Sequence, residues 1–527
     1  MKVLHYISIL LLLLSLAACR DSRIDDLTEQ RVLGDSLYIQ LTLDLSNMSA
    51  TRANPNGGEQ GDGWEYGLPN ENEIQDFSLF IFKGYDINGD EDAPVYLKRY
   101  FSPEDVETAT ITEHESVNGK EVLSYEFKIP IIKGEDADNI LNNIPLLRQF
   151  HFMVAANVGD ITEEITTLGQ FRDYIPTQTF SPSTIIEDYE RFVMSNESDA
   201  FYKSGAGTMK DPVRMHVSVE RLAARIDFDK TNSVGISDDN KSLIYELKSS
   251  DNTTVLSKLY LDELQIINGS IQPSYLIKRV AKDINGTDLT YLGDETPTPN
   301  GIATNYVIDP YSALKTDANR TNTELNLLGT LFGETPTPRF SLDPTKDNQI
   351  LGYVNENTFD RTCTFAEYTT GVQLKCRFVP KHNYYVGYNA ATDILLTPEE
   401  TAEDDNYTLG ATFYMVEPNT SSIDESQRLY FSDFDDAQAY AKKHFCTVVT
   451  YTDGVCYYYI YMRHSNNVEV IHDTMEFGIV RNNIYRFSIN AATGPGTPTP
   501  DPRHPEELKA RIYVKKWVSV EHPIIYV

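Results

Sequence analysis

The chain has 527 residues, 41% of them hydrophobic, with 78 acidic against 45 basic side chains and a formal net charge of −33. That length leaves room for about two to three domains with sizeable cores. The acidic balance excludes nucleic acid and anionic membrane surfaces as partners, because both require a basic patch. The 33 Tyr and 23 Phe, against 2 Trp, cluster with β-branched residues in short runs between Asn, Asp, Gly and Pro, which indicates a mostly β protein.

At the N-terminus, Lys2 and His5 precede an apolar run from Ile7 to Leu14, followed by Leu16-Ala17-Ala18-Cys19. The run is too short to cross a bilayer and has the charged, apolar and small-residue regions of a secretory signal. Small residues before a cysteine form a lipobox, so residues 1–18 read as a signal peptide cleaved before Cys19, whose thiol takes the lipid. Next, Leu37, Ile39, Leu41, Leu43 and Leu45 alternate with polar residues. A period of two puts all five aliphatic side chains on one face of a strand. The loop Thr51-Arg52-Ala53-Asn54-Pro55 then offers a cut after Arg52 that detaches residues 19–52, first strand included.

Further strands are predicted over Ile74–Phe82, Val122–Ile132, Phe150–Asn157 and, as one long strand, 213–228. Asp86-Ile87-Asn88-Gly89-Asp90 spaces oxygens like a calcium loop, but its Gly stands fourth and Leu97 replaces the closing Glu, so it reads as an acidic surface turn. The polar stretch Asn232–Asn240 is placed as the boundary between domains 53–230 and 231–493. The second half continues with strands over Leu259–Asn268, Val372–Pro380, Thr408–Val416, Cys456–Arg463 and Asn483–Asn490, and one helix over Phe434–His444.

Setting Cys19 aside leaves Cys363, Cys376, Cys446 and Cys456, which allow two disulfides. The local pairings 363–376 and 446–456 are the simplest of three connectivities, with buried free thiols as the alternative. Neither cysteine nor histidine spacing fits a metal site, and His464 and His472 read as satisfied polar residues. No G-x-S-x-G, P-loop, G-x-G-x-x-G or H-E-x-x-H occurs, so no enzyme, cofactor or metal is expected. Residues 494–505 form a Pro-rich tether. The tail beyond it, with Leu508, Ala510, Ile512, Val514, Val518 and Val520 on one face, is too short to fold alone. It must pair with a sheet of this molecule or of the next. Lys516 interrupts the alternation, so a bulge is expected at Lys516-Trp517.

Several segments resemble the FimA/Mfa-type fimbrillin superfamily, the subunits of type V pili of Bacteroidales, and among them the Mfa-type major subunit. They are the lipobox, Ala50-Thr51-Arg52-Ala53, Val217–Arg225, Asn305–Pro310, Glu356-Asn357-Thr358, Thr370–Pro380, Val480-Arg481-Asn482-Asn483-Ile484-Tyr485-Arg486, and the tether with its final strand. The resemblance implies two tandem β-sandwich-like (transthyretin-like) domains with few short helices, and a tether plus C-terminal donor strand over 494–527. It implies an outer-membrane lipoprotein precursor that becomes a cell-surface fimbrium supporting adhesion and biofilm. An Arg-specific protease cutting between Arg52 and Ala53 removes the first strand. The donor strand of a neighbouring copy, with Trp517 among its residues, fills the groove. The implied partners are other copies of the chain, anchor and tip subunits, that protease, and the outer membrane through lipid before cleavage. Two other readings stand beside the shaft subunit. One is an anchor or tip subunit. The other is a surface glycan-binding lipoprotein using the Tyr-rich run Tyr457–Tyr461.

Overall fold

A computed structural model of the chain describes residues 36–45, 64–84, 89–107, 110–114, 122–132, 150–177, 191–197, 208–248, 254–270, 273–281, 289–291, 306–315, 327–328, 340–358, 368–397, 407–418, 428–464, 476–500 and 508–518. The protein is mostly β, as its composition and alternation predict. It divides into two compact units, one made of residues 1–45, 75–170 and 198–219, the other of 46–74, 171–197 and 220–527.

In the first unit the alternating segment forms the strand Ser36–Leu45, hereafter the first strand. It lies inside a sheet, antiparallel to Val122–Ile132 on one side and parallel to Val213–Arg221 on the other. Thr110–His114 pairs beyond Val122–Ile132, and Phe77–Lys83 pairs with both Val95–Phe101 and Phe150–Ala156. Phe77, Phe101 and Phe127 pack together in this core, with ring centroids 4.4 to 5.7 Å apart.

In the second unit two sheets enclose one core. One sheet includes, in order, Asn348–Asn355, Ala223–Asp229, Asn483–Ala492, Leu508–Val518 and Trp64–Tyr66. The other includes Leu243–Lys248, Val255–Ile267, Gly371–Pro380 and Val455–Tyr461. Leu261, Leu374, Phe378 and Tyr458 of the latter share the core with Ile226, Phe487 and Val514 of the former. The helix forms over Phe434–His444, as predicted, and packs on the strands Phe413–Pro418 and Cys446–Tyr451 around a small core of its own.

Four local expectations are corrected. Residues 213–228 form two strands, Val213–Arg221 and Ala223–Asp229, because the apolar phase changes from odd to even positions across Leu222. The strand expected from Thr408 starts at Phe413, after Gly410 turns the chain at φ +80°. The tail has no bulge at Lys516: it is held there by Asn483 on one side and Trp64 on the other. The register shift lies instead in its partner, between Ile489 and Ala491. Finally, Cys376, Cys446 and Cys456 are not joined in disulfides, so neither local pairing forms in this structure. Cys376 and Cys456 stand directly opposite each other on neighbouring strands, both in the core, while Cys446 lies on a different sheet.

Candidate functional site

The first strand shows why its sequence alternates. Ile39, Leu41 and Leu43 are fully buried. Each faces an apolar partner in both neighbours: Ile129, Phe127 and Tyr125 on the antiparallel side, and Val213, Met215 and Val217 on the parallel side. Burying three such side chains stabilises the sheet by up to about 5–9 kcal/mol. Leu37 and Leu45 hold their places in the ladder, opposite Ile131 and Val219. Taking this strand out would leave an apolar groove flanked by two unsatisfied sheet edges, a template for any strand of matching alternation. Cys19, Arg52, Ala53, Cys363, His472 and Val520 lie outside the described residues, as do Asp86 and Asn88 of the acidic turn. In that turn, Asp90 carries its carboxylate to 3.3 Å from the buried His151.

The tail strand Leu508–Val518 pairs in its own molecule, antiparallel to Asn483–Ala492. Leu508 and Val514 are buried in the core of the second unit, and Ala510 and Ile512 pack against it. Trp517 and Val518 lie in the ladder beside Glu65 and Tyr66 of the short strand Trp64–Tyr66. The tether before the tail is anchored at its start. Thr497 pairs with Tyr457, the Tyr458 hydroxyl donates to the Gly494 carbonyl at 2.6 Å, and the Tyr451 hydroxyl donates to that of Gly496 at 2.8 Å. Tyr458 and Tyr459 are buried, so the Tyr-rich run is a core strand with its edge covered rather than a sugar-stacking face.

Opposite the core, the tail's sheet carries a charge network that the sequence did not announce. Arg225 donates to Asp227 at 3.0 Å from both Nε and Nη2, to Glu71 from Nη1 at 3.1 Å, and to Glu65 from Nη2 at 3.0 Å. Arg486 donates to Asp227 at 2.8 Å and to Glu65 at 2.5 Å. Lys515 of the tail reaches the other Glu65 oxygen at 3.4 Å. Burial alone would raise the Glu65 pKa. The Arg486 hydrogen bond and the charges of Arg486, Arg225 and Lys515 outweigh it and hold the carboxyl below its ordinary value. Arg221, fully buried, donates to the Glu71 carbonyl at 2.7 Å and to the side chains of Asn482 and Asn72. Burial draws its pKa down to about 10.

The remaining motif residues are also structural. Arg481 grips Glu356 at 2.9 and 2.8 Å and donates to the carbonyls of Leu276 and Tyr275. Asn357 donates to Tyr368 and Thr370, and Thr358 joins Asp309 and the buried Lys315. Asn482 takes φ +56°, which Asn tolerates, and turns the chain into the strand Asn483–Ala492. His464 is buried, with Nδ1 2.8 Å from the Tyr485 hydroxyl. Among the described residues no group of three or more His, Cys, Asp or Glu side chains is arranged to hold a metal ion.

Residues 449–523 match the family described as major fimbrial subunit protein type IV, fimbrillin, C-terminal. No curated protein matches the sequence. Similar solved structures include the tip fimbrial protein Mfa3 from Porphyromonas gingivalis with C-terminal truncation, 11% identical, TM-score 0.35, covering 92% of this chain and all of that one. A fimbrilin (fimA) from Porphyromonas gingivalis W83 is 14% identical, with a TM-score of 0.36, over 92% of this chain and 99% of that one. A putative cell adhesion protein from Parabacteroides distasonis is 12% identical, with a TM-score of 0.38, over 92% and 100% respectively. The matched stretch 449–523 takes in the Tyr-rich strand, Asn483–Ala492, the tether and the tail strand, so it is in this part that the chain is similar to the C-terminal region of fimbrillins.

Proposed function

We propose that this chain is a structural subunit of a fimbrial shaft. It is exported as a lipoprotein through Cys19, matured by an Arg-specific cut between Arg52 and Ala53, and polymerised when the tail strand of one copy enters the groove left by the first strand of another. Residues 19–52 are then the removed propeptide, and the assembled fimbrium stands on the cell surface, where it supports adhesion and biofilm. Its partners are further copies and the subunits that anchor and tip the fibre; the role is structural rather than catalytic.

The observation that carries this reading is the interior position of the first strand, with Ile39, Leu41 and Leu43 fully buried between two strands it does not adjoin in sequence. A surface strand could be lost without consequence; an interior one leaves a groove that demands a replacement. The tail offers the same alternation, and in its own molecule Leu508 and Val514 are buried while Ala510 and Ile512 are half-buried against the core. A groove that buries three aliphatic side chains between two strands offers the tail apolar burial in place of what it leaves, together with a second hydrogen-bonded edge. A head-to-tail contact of this kind does not close on itself, so it builds filaments.

Treating the purified precursor with an Arg-specific protease tests the reading. It predicts a new N-terminus at Ala53 together with SDS-resistant ladders, both lost in Arg52→Ala. Clean cutting at Arg52 without polymer would sink it. A second reading has one observation in its favour: the tail already pairs within its own molecule, as suits a fibre-ending subunit that accepts a strand without giving one. Cut chains that stop at dimers with a different subunit and never self-polymerise would select it.

A further inference from the structure

We propose that the strand Trp64–Tyr66 is a latch that holds the tail strand in its own molecule, with Glu65 as its fastening. The cut that frees the first strand also loosens this latch. The inference rests on the maturation at Arg52 proposed above and adds how one cut readies both ends of the subunit.

Two open sides matter to a strand that must leave. One side of the tail is held along its length by Asn483–Ala492. Among the described residues, the other is paired by Trp64–Tyr66 alone, through three parallel residue pairs: Trp64 with Lys516, Glu65 with Trp517, and Tyr66 with Val518. A three-residue edge strand has little hold of its own. Its hold comes from the Glu65 carboxylate, which reaches past the tail to Arg486 on the next strand and Arg225 on the one after, while its second oxygen takes Lys515 of the tail itself. The ion pairs therefore strap the tail from edge to interior. Charge-assisted bonds shielded from water are the strong ones.

The chain order supplies the coupling. Residues 46–63 connect the first strand to Trp64, and Arg52 lies among them. In the uncut chain the latch is tied at both ends. After the cut it sits close to a new N-terminus, where order and pairing are weakest.

Hydrogen exchange of the tail amides 508–518, followed in the full chain before and after cutting, tests the latch. Arg225 keeps Asp227 and Glu71, and Arg486 keeps Asp227, when Glu65 is neutralised, so Glu65→Gln retains partners for both guanidinium groups. The latch predicts about tenfold faster tail exchange in uncut Glu65→Gln and about threefold in uncut Lys515→Met. It predicts a comparable rise in the wild type on cutting, with little further rise on cutting the Glu65→Gln chain. Lys515→Met keeps the test open should Glu65→Gln fail to fold. Tail exchange unchanged by the cut and by both substitutions overturns the latch, even if polymer forms. Faster tail exchange on cutting without polymer supports the latch and rejects strand exchange instead.

Discussion

Two carboxylates at the edges of the second unit show opposite environments. Glu220 is fully buried, and neither oxygen has a hydrogen-bond partner among the described residues. Burial pushes its pKa up to about 7, with Lys278 at 4.0 Å and Arg481 at 3.9 Å offsetting this only in part. A carboxyl whose folded pKa exceeds its unfolded value of 4.5 contributes stability fully below pH 4.5, and loses it as pH rises through about 7. Glu220→Gln is therefore expected to match the wild type at pH 4 and to exceed it by about 1–3 kcal/mol at pH 8, as read by denaturant melts at the two values. Glu65 runs the other way. Its lowered pKa means its hold on the tail is present above pH 4.5 and fades as pH falls through the depressed value. Protection of the tail amides, taken relative to their intrinsic exchange rate at each pH, should fall on acidification in the wild type and not in Glu65→Gln. Neither carboxylate was legible in the sequence, since nothing local marks Glu65 or Glu220 as buried. The cysteines illustrate the same limit: proximity along the chain favoured 446–456, whereas register sets Cys456 against Cys376.

At the scale of elements, alternation was legible wherever a strand had one buried face. The first strand, Val122–Ile132 and the tail follow their period of two, and Asn483–Ala492 does so in sequence although both its faces are buried from Asn483 to Ile489. The helix bounds were legible because Asp433 caps its N-terminus, accepting from the Asp436 amide at 3.0 Å, and basic residues close its last turn. The C-cap was not: Phe445 sits at φ +57° with 83% of its surface exposed, where Gly is the usual choice. Phe445→Gly should stabilise the helix by about 1 kcal/mol and Asp433→Ala should weaken it by about 1 kcal/mol, both read by exchange of the helix amides. The join between Val213–Arg221 and Ala223–Asp229 was missed because both halves alternate; only their phases differ. For the first strand, Leu41→Ala should destabilise the uncut chain by about 2–5 kcal/mol. If that strand departs on maturation, as proposed, the same substitution should speed polymerisation after cutting rather than hinder it.

For the whole molecule, the proposed strand exchange gives the tail two sites: its own, beside Asn483–Ala492, and the groove that the first strand vacates in another copy. The acidic surface, with a net charge of −33, sets these copies against one another except where strands exchange. Long-range repulsion falls with salt, so polymerisation after cutting should quicken between about 0.05 and 0.3 M salt, as followed by light scattering. The two-site claim has its most direct test in a chain lacking residues 508–527, titrated with a synthetic peptide of residues 503–527. Before cutting, only the tail's own site is open; after cutting and removal of residues 1–52, the groove is open as well. Strand exchange predicts one peptide bound per uncut chain and two per cut chain. The same stoichiometry before and after cutting would contradict it.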